Sequence, residues 1–158
     1  DKRFKNERSW DFDVNEQGWR YHMSNIMAAI GLEQLKRFPE IAKKRQELAK
    51  QYDSIFCDQK RISPLVRDYE TVVPHIYVVR IKGMKERKTL QARLLEKGIQ
   101  TGCHYQPNHW LSLYSDKQAS PLPVTERYFP ELLTLPLHED LSETNVEYVS
   151  ASLIQSIK

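Results

Sequence analysis

Residues 75–105 read HIYVVRIKGMKERKTLQARLLEKGIQTGCHY, and the reading of this stretch decides the fold class. Its opening, HIYVVRI at 75–81, is dense in β-branched and aromatic side chains, with Pro74 before it and Gly83 after it, and predicts a strand. Leu90, Leu94 and Leu95 then recur at helical spacing, and Gly98 supplies the residue that stops a helix, so 86–97 is predicted helical. IQTGCHY at 99–105 predicts a second strand. Towards the N-terminus, Ser24 offers a helix cap, followed by Ile26, Met27, Ile30, Leu32, Leu35 and Phe38 at helical spacing. Pro39 is expected to end that helix. A second helix is expected to follow, with Ile41, Leu48, Tyr52 and Ile55 on its apolar face. Towards the C-terminus, 106–124 is rich in Pro, Ser and Asn and predicts a long loop. A short helix near 125–132 and a Leu-Pro-Leu segment then lead to Ser142, a cap for a last helix carrying Val146, Val149, Leu153 and Ile157. This order describes an α+β domain with a sheet covered by helices.

Bulk composition removes several function classes. Apolar residues make up 40% and charged residues 28% of 158 residues, which describes a globular chain able to bury a core. The net charge of +3 comes from scattered basic residues without a clustered stripe, and nucleic-acid binding is not expected. No stretch approaches the apolar length of a membrane span, and the opening DKRFKNER lacks a signal-peptide core. Cys57 and Cys103, without Cys-x-x-Cys spacing, read as free thiols in a reducing cytoplasm. The chain begins at Asp1 in a polar run that is neither tag nor targeting sequence, and it reads as part of something longer. Phe4, Trp10, Phe12, Trp19 and Tyr21 are expected to pin their irregular segment onto a surface. The isolated chain is expected to expose apolar surface around Trp19, Met27 and Ile30.

Three clusters have residue types that carry chemistry. In Gly18–Asn25, GWRYHMSN, the planar fork of Arg20 suits a phosphate near a helix N-terminus, and equally suits a carboxylate such as Glu16. In Cys103–Trp110, CHYQPNHW, two histidines, a tyrosine and a tryptophan stand at a strand end. They could hold a hydroxylated ligand, or make local hydrogen bonds only. The spacing of Cys103, His104 and His109 matches no common structural zinc site, and a fourth ligand would have to come from His75 or His138; no metal is expected. The third cluster, Leu135–Leu141, looks structural and sets the approach to the last helix. There is no Gly-rich phosphate loop, no Gly-x-Ser-x-Gly elbow and no paired-His motif. None of the lysines sits in a dry apolar setting, so no residue of this chain is expected to be catalytic.

Four segments in order, GWRYHMSN (18–25), AAIGLEQL (28–35), GIQTGCHYQPNH (98–109) and LLTLPLHEDLS (132–142), resemble the DegT/DnrJ/EryC1/StrS family of sugar aminotransferases, which depend on pyridoxal 5′-phosphate (PLP). The resemblance implies fold type I. Residues 1–38 then form the tail of the large PLP-binding domain with an interdomain helix, and 39–158 the small C-terminal α+β domain. It implies a homodimer with shared active sites, and transfer of an amino group from glutamate to a nucleotide-linked keto-sugar. The cofactor lysine would lie in a Ser-x-x-Lys…Gly-Glu-Gly-Gly segment upstream of Asp1, leaving this chain alone inactive. Arg20 stands where the family has an asparagine that reaches the PLP phosphate of the neighbouring subunit, and is the expected cofactor contact. His22 replaces a family arginine. His104, Tyr105 and His109 match the His-Tyr-x-Pro-x-His segment, and the resemblance makes them substrate contacts. Without a lysine-bearing segment, the alternative is a free-standing binding or assembly module derived from the family.

Overall fold

The computed structural model describes residues 16, 18, 19, 21–115 and 121–157. Helix α1 (Asn25–Phe56) starts as its sequence suggests: the Ser24 Oγ accepts the Met27 N–H at 3.2 Å, a standard N-cap. It does not end at Pro39. The expected pair of helices is one continuous helix with the proline inside it. A proline removes the single hydrogen bond from its own nitrogen and crowds the carbonyl four residues earlier, at a cost of about 3 kcal/mol. That carbonyl belongs to Leu35, in an exposed stretch where water can satisfy it. The following turns bury Ala42, Leu48, Ala49, Tyr52 and Phe56, and that burial outweighs the local penalty.

The chain divides into two compact units, Asp1–Lys36 and Arg37–Lys158. In the first, Trp19, Met27 and Ile30 are 84%, 61% and 55% exposed, so the expected apolar surface is present. The second holds the core. Strands β1 (Ile62–Pro64), β2 (Tyr77–Ile81) and β3 (Leu132–Leu135) form an antiparallel sheet in the order β1-β2-β3. The register pairs Ile62 with Ile81, Tyr77 with Leu135, and Val78 with Thr134. Tyr77, Val79 and Ile81 of β2, with Leu133 and Leu135 of β3, meet Leu48, Tyr52 and Phe56 of α1. The same cluster takes Leu90 and Leu94 from α2 (Arg87–Glu96), and Val146, Val149 and Leu153 from α5 (Glu143–Ser156); between them α3 (Ser112–Ser115) lies in the long loop and α4 (Pro123–Tyr128) is the short helix expected after it. Strand side chains alternate, so Val78 and Thr134 fall on the opposite face of the sheet from these helices.

Two expectations about strands change. Residues 99–105 make only one bridge, in which Gly102 exchanges two 2.9 Å backbone bonds with Thr134. The partner strand is β3, which runs from the end of the expected 125–132 helix to the first leucine of the Leu-Pro-Leu segment, where no strand was expected. β1 was not anticipated at all. Three or four residues beside a proline are too short to show a period, so pairing had to come from the partner strand.

The signals at helix ends hold. α2 stops in a Schellman arrangement: the Gly98 N–H bonds Leu95 O at 2.8 Å and the Ile99 N–H bonds Leu94 O at 2.9 Å. Gly98 sits at φ +75°, where a Cβ is strained. Gly98→Ala is expected to lower stability by about 1 kcal/mol, read from the urea midpoint; no change would mean that the turn relaxes freely. Ser142 caps α5 in a capping box with Asn145.

Candidate functional site

The path from α2 to the loop is set by Gly98 and Gly102. After the stop at Gly98, Ile99 is buried in the core, and three residues later Gly102 locks onto Thr134. This carries His104 over the sheet face opposite the helices, where its Nδ1 lies 3.0 Å from the Thr134 Oγ1. A Cβ on Gly102 would stand 2.9 Å from the His104 Cε1 and 3.3 Å from its Nδ1, so the approach needs glycine there. Tyr105 is exposed and meets the His104 ring edge-on, with centroids 4.7 Å apart. His104, Thr134, Thr101 and His75 line a cleft of about 270 Å³. Arg45 holds one rim of it, donating to the His75 carbonyl at 3.2 Å and the Leu137 carbonyl at 3.1 Å. A larger open groove of about 490 Å³, with His138 and Tyr148 on its walls, shares Gln100 and Pro136 with this cleft.

His109 belongs to a second cluster. It lies in the 3-10 turn Asn108–Trp110, and its side chain is only 12% exposed, with Nε2 3.1 Å from the Glu126 Oε1. Its ring leans on Trp110, which meets Phe129 edge-on at 5.3 Å. Glu126, on α4, also accepts the Leu122 N–H at 3.1 Å, so this carboxylate ties both sides of the loop together. The turn Phe129–Glu131 is anchored in the same way. Glu131 accepts the Gly83 N–H at 2.8 Å and the Arg80 Nε–H at 2.6 Å, and Arg87 donates to the Phe129 carbonyl. The hydrogen bond from Gly83 and then that from Arg80 hold the Glu131 carboxyl below the usual carboxylate range.

Of the residues singled out from sequence, His104 lines the small cleft with the exposed Tyr105 beside it, while His109 pairs with Glu126. Arg20 lies outside the described residues, as do Phe4, Trp10 and Phe12. Burial pushes the Cys103 thiol up, with the Arg87 charge pulling the other way, so it is not poised as a thiolate. Among the described residues no group of three metal-ligating side chains converges, and no lysine is buried. Sequence reasoning did not identify Thr134, Gly102 or Glu126. Thr134 is an ordinary strand residue by composition, and its role depends on a chain segment thirty residues away.

The Leu135–Leu141 segment is structural, as its composition suggested: Tyr52 donates to the Pro136 carbonyl at 3.1 Å and Leu137 is buried. No described helix is long and apolar enough to cross a membrane.

Similarity to known proteins covers the whole of this architecture. The spore coat polysaccharide biosynthesis protein SpsC of Bacillus subtilis is 29% identical over 99% of the chain and 42% of its own length. The structure of Helicobacter pylori PseC, an aminotransferase involved in the biosynthesis of pseudoaminic acid, superposes with a TM-score of 0.84 at 27% identity, over 96% of this chain and 42% of that one. The putative sugar aminotransferase Spr1654 of Streptococcus pneumoniae, in its PLP-form, gives a TM-score of 0.85 at 32% identity, over 94% of this chain and 39% of that one. The chain thus spans well under half the length of each. The match to the family itself runs over residues 1–154 and takes in the Gly98–His109 path, the Thr134 strand and the capped last helix. The chain belongs to the DegT/DnrJ/EryC1/StrS aminotransferase family.

Proposed function

We propose that this chain is the C-terminal part of a PLP-dependent aminotransferase that acts on a nucleotide-linked keto-sugar. The observation that carries the reading is the family match over residues 1–154 by a chain that spans 42% of its relative SpsC. PLP, when bound, acts as the electron sink through which an amino group moves between substrates. The residues in hand fit the rim of such a site. In this reading the lysine that holds the cofactor comes from another part of the protein, and the lack of a buried lysine among the described residues supports it. Arg20 supplies the charge-assisted donors that a cofactor phosphate needs, reaching it from the neighbouring subunit of a homodimer. His104 offers a ring nitrogen at a cleft suited to a hydroxylated sugar, Tyr105 stands beside it with an exposed phenol, and His109 acts on the substrate side through the loop that it holds. Its commitment to Glu126 gives it a part in shaping the loop.

In this reading residues 1–38 are the tail of the large domain, 39–158 are the small domain, and the whole has fold type I. Glutamate donates the amino group. Free Cys57 and Cys103 fit a reducing cytoplasm.

The test compares protein made from the complete coding sequence with this chain alone, each supplied with PLP, glutamate and UDP- or dTDP-linked 4-keto and 3-keto hexoses. The complete protein is expected to form 2-oxoglutarate and amino sugar in equal amounts, and the chain alone neither. The complete protein, loaded with PLP and silent towards every keto-sugar, would reject the reading. A coding sequence that starts near Asp1 would instead leave a binding or assembly module.

A further inference from the structure

We infer that Thr134 is a positioning residue that fixes His104 as its Nε2–H tautomer and so makes the imidazole a hydrogen-bond donor towards the cleft. The inference rests on the reading of His104 as a substrate contact, but its geometry stands independently. Thr134 is 5% exposed, on the sheet face opposite the helices. Its backbone is fully used in the exchange with Gly102. Its hydroxyl has one partner among the described residues, the His104 Nδ1 at 3.0 Å.

That single contact decides the tautomer. If Nδ1 carried the proton and donated it, the threonine hydroxyl would accept, and its own hydrogen, on a residue only 5% exposed, would have no protein acceptor among the described residues. Orphaning a buried donor is costly, whereas the opposite arrangement satisfies both groups. The hydroxyl therefore donates to Nδ1, and the ring proton sits on Nε2. Among the described residues Nε2 has no protein partner, and His104 lines the cleft, so Nε2–H is the polar atom left for a ligand oxygen. Gly102 makes this possible by leaving the space into which the Nδ1–Cε1 edge of the ring fits, and its bridge to Thr134 holds both ends of the contact in register. A sugar hydroxyl or phosphate oxygen is the matching acceptor.

The experiment is long-range ¹H–¹⁵N NMR of the histidine rings in the complete protein, labelled with ¹⁵N at histidine, at a pH above the ordinary imidazole range, for the unaltered sequence, Thr134→Val and Thr134→Ser. The unaltered chain should show a pyrrole-type Nε2 and a pyridine-type Nδ1 for His104. Thr134→Val should turn this into a mixture of tautomers, and Thr134→Ser should restore it, with backbone amide signals of the sheet preserved in both. An Nδ1–H tautomer in the unaltered chain, or no change in Thr134→Val, would overturn the inference. Titration of the complete, PLP-loaded protein with UDP-N-acetylglucosamine then separates it from the functional reading. Binding that shifts His104 in the unaltered chain should weaken about tenfold in Thr134→Val, the loss expected for one misdirected hydrogen bond, and return in Thr134→Ser. The expected tautomers with no effect of the nucleotide sugar on His104 would sustain the positioning role and overturn the substrate reading. A shift by the sugar with unchanged tautomers would do the reverse.

Discussion

Raising the pH from about 10 to about 12 is expected to unfold this chain cooperatively, because its core holds phenols that cannot ionise in place. Tyr52 and Tyr77 are fully buried and stacked on each other with ring centroids 4.6 Å apart. Burial alone raises the Tyr52 phenol far above its ordinary range. For Tyr77 burial acts first and the Asp53 carboxylate adds to it. In the unfolded chain both phenols release their protons near pH 10, while the folded chain keeps them. The unfolded state therefore binds fewer protons above that pH, and stability falls as pH rises. The slope is about 1.4 kcal/mol per pH unit for each phenol, so two phenols over two units remove roughly 5 kcal/mol. That is of the same order as the entire stability of a small domain. Tyr69, pushed up to about 12 by burial and by Asp53 against the opposing Arg67 charge, acts in the same direction. Urea midpoints measured at rising pH, with phenolate absorbance followed in parallel, check this. Phenolate signal that rises to the amplitude of all eight tyrosines with the circular dichroism unchanged would show that the buried phenols ionise inside the fold.

The second large effect lies at the same cluster. Asp53 accepts the Tyr69 hydroxyl at 2.7 Å and the Tyr77 hydroxyl at 2.5 Å. Asp53→Ala leaves two phenolic protons, one on the fully buried Tyr77 and one on the nearly buried Tyr69, without their acceptor. At about 1–3 kcal/mol for each orphaned group, the expected loss is roughly 3 kcal/mol. Asp53→Asn keeps the shape and one good acceptor, and should cost only about 1 kcal/mol. Tyr77→Phe removes the donor along with its need and should be milder than Asp53→Ala. Equal midpoints for Asp53→Ala and the unaltered chain would mean that water reaches the phenols, and would also weaken the alkaline argument.

Both predictions concern residues that the sequence shows but does not connect. Tyr52 was legible as part of an apolar helical face, and Tyr77 as part of a strand. Nothing in their spacing told that Asp53, one residue further along α1, would turn towards Tyr69 and Tyr77. The candidate site has the same character. His104 and Tyr105 could be picked out by residue type at the end of a presumed strand. His109, two residues beyond Pro107 in the same run, was grouped with them, and the structure gives it to Glu126 on α4 instead.

By itself the sequence determined what is decided within a few residues of chain. The glycine stop of α2, the Ser24 and Ser142 caps and the β-branched run of β2 are local, because their hydrogen bonds and dihedral preferences are satisfied by near neighbours. The tertiary structure alone decided which short segments became strands, since β1 and β3 have too few residues to carry a period and exist through pairing with β2. It also carried α1 through Pro39, where burial of the Leu48–Phe56 face outweighs one lost hydrogen bond. It set His104 against Thr134 as well, a contact across thirty residues that required a glycine at 102 and a strand whose alternation turns that threonine away from the helices.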